Sequence, residues 1–297
     1  MKIGIVGKGA IGTLLAARAY AIGADYSVIT RDGMAFSIQG KMLDNKPLQI
    51  SPPICNTEQI AHLDVIILPI KAYQIIPAIK QLAPQLHPAQ IIMLLHNGMG
   101  TTEPALSLIP NAVIEATTSH AAYIDQQGCF HHTGMGKTDC GWVRSSNDRQ
   151  SQAQECVSEL LPPCDWHDDV MLPLLYKLAI NGVINPLTAI YQVNNGELRE
   201  ERFSKIKRQL CQESASILHA LGYHADPDAL LKKVNTVIED TSDNYSSMFQ
   251  DLANGRLTEI DAISGYLCQQ AELFDVEAKT HQQMLHSVQA LQQMQAS

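Results

Sequence analysis

Along the first half of the chain, short uninterrupted apolar runs alternate with segments of helical period. Ile3–Val6, Ser27–Thr30, Asp64–Pro69, Ile91–Leu95 and Ala112–Thr118 read as strands. Ala10–Ile22 and Tyr73–Leu86 read as helices, the second despite Pro77 and Pro84. Strands that are apolar on both faces and separated by helices predict a parallel sheet covered on both sides. The rhythm changes after about Trp166. From there helical periodicity dominates, over Met171–Tyr191, Glu201–Leu221, Pro227–Val237, Tyr245–Ala253, Thr258–Leu273 and a last stretch from Glu277. The pattern predicts an α/β domain over residues 1–167 and an all-helical domain over 168–297, a division that 297 residues readily accommodate.

The junction between the first strand and the first helix carries "GKGAIG": Gly7, Lys8, Gly9, Ala10, Ile11 and Gly12. G-x-G-x-x-G is a weak pattern alone, but between a strand and a helix it has a physical reading. The first glycine permits the tight turn, the second lets backbone approach a pyrophosphate, and the third allows close strand–helix packing. The helix N-terminus then faces the phosphates. The second strand runs into Arg31 rather than an acidic residue, which favours the extra phosphate of NADP over the free ribose hydroxyls of NAD. Asp32 follows directly and leaves open that Arg31 is a surface charge. Lys71 and the loop His96–Gly100, "HNGMG", follow the next two buried strands, at the carboxyl ends where open α/β sheets bind ligands. Each could equally be an ordinary solvated loop.

In the helical half, Lys177, Asn181 and Asn185 recur every four residues within Met171–Tyr191 and form one polar stripe on an otherwise apolar helix. Pro186 follows, where it is expected to bend or end the helix and so to make room for a ligand. One ammonium and two amides in a row suit a small polar substrate: the ammonium stabilises and protonates a developing alkoxide, and the amides both donate and accept. The alternative is a helix–helix interface in which these groups satisfy one another.

Composition narrows the partners. The net charge is −9 and aromatic residues make up 5%, which argues against nucleic acid or an anionic membrane as partner. Seven cysteines without a C-x-x-C spacing predict free thiols rather than a disulfide framework or zinc site. Adjacent strand residues face opposite ways, so His131-His132 makes a poor chelate, and no metal is expected. The start of the chain lacks a signal peptide's continuous apolar region, and no window has transmembrane length, so a cytoplasmic protein is expected.

The segments "GKGAIG", "IKAYQ", "HNGMG", "SHAAY", "YKLAINGVINPLTAI", "NNGELR", "NYSSMFQDL" and "LTEIDAISGYL", in that order over residues 1 to about 275, resemble the ketopantoate reductase (2-dehydropantoate 2-reductase) family. The resemblance implies a Rossmann domain followed by a helical domain like the C-terminal domain of 6-phosphogluconate dehydrogenase. It implies NADPH-dependent reduction of 2-dehydropantoate to (R)-pantoate, on the route to pantothenate and coenzyme A, by a monomer or homodimer. Gly7 to Gly12, Arg31, Lys71 and Ala122 then correspond to cofactor contacts, and Asn97 to a residue between cofactor and substrate. Lys177 corresponds to the proton donor, Asn181, Asn185 and Asn195 to substrate-binding amides, and Asn244 to Ser247 to a substrate-binding segment. Glu259 corresponds to an acidic group at cofactor and active site, although Thr258-Glu259 could also be a helix-start cap. Tyr123 and Tyr245 depart from the pattern and leave the substrate open: another small 2-keto acid, or a non-catalytic NADPH-binding role, are the alternatives.

Overall fold

The computed structural model describes residues 1–145 and 148–296. The chain divides into two compact units, Met1–His96 with Thr101–Val170, and Asn97–Gly100 with the chain from Met171 onward. The division falls three residues beyond the 167/168 boundary expected above, and the Asn97–Gly100 loop goes with the second unit.

The first unit is built on β1 (Lys2–Val6), α1 (Ala10–Ala21), β2 (Asp25–Ile29), β3 (Ile38–Lys41), β4 (Pro47–Ile50), α2 (Thr57–Ile60), β5 (Val65–Leu68), α3 (Ala72–Leu82), β6 (Ile91–Leu95), α4 (Thr102–Leu108) and β7 (Ala112–Thr118). It continues through β8 (Ala121–Ile124), β9 (Phe130–Gly134), β10 (Thr138–Arg144), α5 (Gln150–Leu160) and β11 (Cys164–Trp166). Seven strands form one sheet in the order β11-β10-β7-β6-β5-β1-β2. β2, β1, β5, β6 and β7 are mutually parallel, and β10 runs antiparallel to β7. All residues of β5 and β6 are buried, as their unbroken apolar runs require. α1 is rich in Ala and Leu and buried over Gly12–Ala17 and at Ala19.

A second sheet, β4-β3-β9-β8, has no clear strand pattern in the sequence. Its strands are short and mostly half polar. Its parallel pair joins Gly40 to Phe130, far apart in sequence. A Cβ at Gly40 would stand 1.9 Å from the Phe130 carbonyl oxygen, so this pairing requires glycine. His131 and His132 lie on β9 and face opposite ways. His131 pairs with Asp125 at 2.9 Å, while the buried His132 shares a hydrogen bond with the Gly134 carbonyl at 3.1 Å.

The second unit is helical: α6 (Met171–Tyr191), 3₁₀ turns at Asn195–Arg199 and Glu201–Phe203, α7 (Ser204–Ala220), α8 (Pro227–Asp240), α9 (Ser247–Ala253), a π-helical turn (Asp261–Gly265), α10 (Tyr266–Leu273) and α11 (Lys279–Ala296). The helix expected from Glu201 therefore starts at Ser204, after a 3₁₀ turn. The helix expected from Thr258 takes shape only at the π turn. Pro186 does not end α6, which runs on to Tyr191. Residues 182–189 are buried without interruption. Thr188 Oγ1 donates to the Ser246 hydroxyl at 2.7 Å and lies within bonding distance of the Ile184 and Asn185 carbonyls, which ties this stretch to the start of α9. Among the described residues no helix is long and apolar enough to cross a membrane.

The core where α6, α7 and α11 meet contains a titratable group. His281 is fully buried, with Nε2 2.8 Å from Ser214 Oγ, and a Cβ at Gly182 would lie 3.2 Å from its ring. The Glu213 carboxylate caps α11 by accepting from the Thr280 and His281 amides at 2.8 and 3.0 Å. Burial pushes His281 down from 6.5 to about 4, against a smaller upward pull from Glu213. The folded pKa lies below the unfolded one, so the unfolded chain takes up this proton first. Stability is therefore expected to fall by up to about 3 kcal/mol as pH drops from about 6.5 to about 4. His281→Gln should flatten that limb in urea titrations run across this range; an unchanged limb would assign it to other groups.

Candidate active site

The parallel strand order reverses between β1 and β5, and this switch point is where open α/β sheets bind ligands. The Gly7–Gly12 turn follows β1, and Lys71 follows β5 on the adjacent strand, with Ile5 paired to Ile67. Gly7 has φ of +89° and donates to the Ile29 carbonyl at 2.8 Å. A Cβ at Gly12 would stand 2.7 Å from the Gly7 carbonyl oxygen, so the turn and α1 meet only through glycine. A Cβ at Gly9, the N-cap of α1, would touch nothing within 4 Å. Tight contact at Gly12 and open space at Gly9 fit the division of labour that a pyrophosphate needs.

Arg31 is exposed in the turn after β2. Asp32, its rival for the ribose, is held elsewhere. Its carboxylate accepts from the Met34 amide at 3.1 Å and lies 3.6 Å from the Lys8 ammonium. These contacts, the Met34 hydrogen bond foremost, lower its pKa. Lys71 is half-buried at the N-cap of α3, and its amide donates to Gln74 Oε1 at 3.2 Å. Ala122 lies on β8 opposite His132, in the second sheet. The neighbouring Tyr123 stacks on His131 at 4.7 Å.

In the helical unit, Lys177 and Asn181 are half-buried on α6, while Asn185 is buried, with 6% of its surface exposed. Asn195 and Asn244 are brought together, the Asn195 amide donating to the Asn244 carbonyl at 2.9 Å. The Asn195 side chain is buried and its Nδ2 donates to Thr241 Oγ1 at 2.9 Å. Asn244 and Ser247 are exposed. Ser246, inside the Asn244–Ser247 segment, is the N-cap of α9: it accepts from the Phe249 amide at 3.0 Å and from Thr188. Tyr245 is about half exposed and stacks on Phe249 at 4.6 Å. An open groove of about 490 Å³ lies beside this segment, lined by Asn194, Glu197, Arg199 and Asp243 among others, but by none of the predicted site residues.

The Asn97 loop and the Glu259 segment also converge. Glu259 is buried just ahead of the π turn, and the Met99 amide donates to the Ala262 carbonyl within that turn at 2.8 Å. Gly98 has φ of +83°, and a Cβ there would stand 2.6 Å from Ala262 Cβ. The π turn left no signature in the sequence; such turns are frequent at functional sites. Thr258 Oγ1 accepts from the Ile260 amide at 3.2 Å. Among the described residues no group of three or more His, Cys, Asp or Glu could hold a metal ion.

A glycine turn at the switch point of a parallel sheet, followed by a helical unit bearing a lysine–amide stripe, defines a Rossmann-type oxidoreductase. Two family models match, "Ketopantoate reductase PanE/ApbA" over residues 3–145 and "Ketopantoate reductase PanE/ApbA C terminal" over 169–292. The chain belongs to the ketopantoate reductase family. It is 35% identical over 272 residues to a 2-dehydropantoate 2-reductase of Yersinia pestis, covering 91% of this chain and 88% of that protein. A PanE/ApbA family ketopantoate reductase from Ralstonia eutropha JMP134 superposes with a TM-score of 0.89 at 21% identity, over 100% of both chains. A D-mandelate dehydrogenase, solved with NADH and anilino(oxo)acetate, superposes at 0.88 and 21%, again over 100% of both. At these identities the two solved structures speak for the fold alone.

Proposed function

We propose that this protein reduces 2-dehydropantoate to (R)-pantoate with NADPH, as a step towards pantothenate and coenzyme A. The observation that carries the reading is the pairing of the Gly7–Gly12 turn with the Lys177–Asn181 stripe in a member of this family. A reduced nicotinamide, when bound, supplies the hydride. Gly7 to Gly12 hold its pyrophosphate, with Lys8 contributing backbone in the turn and Ala10 and Ile11 at the start of α1. Lys71 and Ala122 are assigned to the same cofactor, and Asn97 orients cofactor and substrate. As the ketone carbon is reduced, negative charge develops on its oxygen; the Lys177 ammonium stabilises that charge and gives up its proton to the oxygen. Asn181, Asn185, Asn195 and Asn244 bind the polar groups of the substrate, Ser247 its carboxylate. Glu259 is assigned to the cofactor and to anchoring the Lys177 ammonium. No step calls for a metal, and the site works in a monomer or a homodimer.

Arg31 is assigned to the 2′-phosphate, since Asp32 is engaged by Lys8 and the Met34 amide. Arg31→Ala is expected to weaken NADPH binding about tenfold to a hundredfold, as loss of a charge-assisted bond of about 1.5–3 kcal/mol implies. NADH binding should change little. Fluorescence titration of both cofactors checks this, and equal losses would remove Arg31 from the phosphate site.

A second reading, reduction of an aryl 2-keto acid, is favoured by one observation: Tyr245, stacked on Phe249, stands within the segment assigned to the substrate.

A further inference from the structure

Seven cysteines are free, and two of them meet. β10 and β11 are parallel neighbours, with Thr138 opposite Cys164 and Cys140 opposite Trp166. Side chains two apart along a strand share a face, so Cys140 and Cys164 are diagonal neighbours on one face of the sheet. Their sulfurs are 3.5 Å apart. Cys140 is wholly buried, whereas Cys164 is partly exposed on a three-residue strand at the sheet edge. An edge strand is paired on one side only, so a shift of β11 disturbs the ladder to a single neighbour.

The two thiols are not equivalent. With Cys140 as donor, the thiol–thiol hydrogen bond holds the Cys164 thiol below its usual range, and the same bond together with burial pushes Cys140 up. The more exposed sulfur is thus also the more readily ionised, the combination that makes a cysteine an attacking group.

We propose that Cys164 and Cys140 form a modification site at which a low-molecular-weight disulfide, such as oxidised glutathione, installs an interstrand disulfide. Cys164 loses its proton and attacks one glutathione sulfur. A Cys164–glutathione bond forms, the glutathione disulfide breaks, and the first glutathione leaves as a thiolate that takes up a proton. Cys140 then attacks the Cys164 sulfur and expels the second glutathione, which takes up the proton Cys140 gives away. Two protein thiols are oxidised by two electrons, and one glutathione disulfide is reduced to two thiols. The sulfurs close from 3.5 Å to about 2.05 Å, and the short edge strand supplies the movement.

The molecule carries its own reporter at this place. Its two tryptophans, Trp142 and Trp166, lie on the same two strands and the same face, with rings stacked at 5.9 Å. The Trp166 indole donates to Ser158 Oγ at 2.9 Å.

The test is incubation of the native chain with oxidised glutathione, followed by thiol counting in denaturant and peptide mapping. Two of the seven thiols should disappear, leaving five, with a Cys140–Cys164 peptide identified. Tryptophan emission should drop and recover with dithiothreitol. Cys140→Ser should stop at glutathionylated Cys164. Seven thiols remaining would overturn the proposal, as would a wild-type chain that halts at the Cys164 mixed disulfide or bonds through another cysteine.

Discussion

Lys177→Ala is expected to lower kcat by about a thousandfold, the middle of the range for loss of a positioned general acid and equivalent to about 4 kcal/mol of transition-state stabilisation. The lysine stands half-buried on α6, one turn before Asn181 on the same stripe. Its proposed role belongs to the transition state, where the ketone oxygen carries charge that the ground state lacks. NADPH binding should therefore survive, because the nucleotide motif lies on a different part of the chain. Steady-state kinetics with a parallel cofactor titration separates the two. A variant with near-normal kcat would remove Lys177 from the chemistry, and one that no longer binds NADPH would point to misfolding. Lys177→Arg keeps the charge but ties up the proton, so it should recover little of the rate.

Gly98→Ala should cost the protein about 3 kcal/mol and reduce turnover at least tenfold. Two penalties combine. The residue sits at φ of +83°, where a side chain costs about 1 kcal/mol or more. The added methyl would also stand 2.6 Å from Ala262 Cβ and 2.7 Å from the Ala262 carbonyl, an overpacking worth about 1–3 kcal/mol. Relief requires the loop to leave the π turn, which strains the Met99–Ala262 hydrogen bond and carries Asn97 with it. Gly255→Ala isolates the backbone term, since Gly255 has φ of +64° with nothing within 4 Å of a Cβ; it should cost about 1 kcal/mol without touching turnover. Urea denaturation and kcat/KM on both variants check the pair. Equal stability losses would show that contact with Ala262 carries no weight.

Local pattern located what local physics determines. The continuous apolar runs of β5, β6 and β7 were legible because a strand buried on both faces has no alternative composition. Met171–Tyr191 was legible from its helical period, with both ends in place. Gly7–Gly12 was legible because the motif sits between a strand and a helix. What stayed hidden depends on distant residues. β3 pairs with β9 only because Gly40 admits the Phe130 backbone, and neither segment alternates clearly enough to read as a strand. The anchoring of Met99 on Ala262 joins two segments that share no local signal. Pro186 misled for the opposite reason: its local preference to end a helix is overridden by the burial of residues 182–189 and by the Thr188–Ser246 bond. Ser246 as the cap of α9 was not legible, since sequence alone does not tell which of two adjacent serines caps a helix.

The substrate is decided by NADPH oxidation, followed by absorbance, with 2-dehydropantoate and with benzoylformate, the 2-keto acid counterpart of mandelate. The proposed function predicts a kcat/KM for 2-dehydropantoate at least a hundredfold above that for benzoylformate. Preference for benzoylformate, or turnover of neither in a chain that binds NADPH, would contradict it.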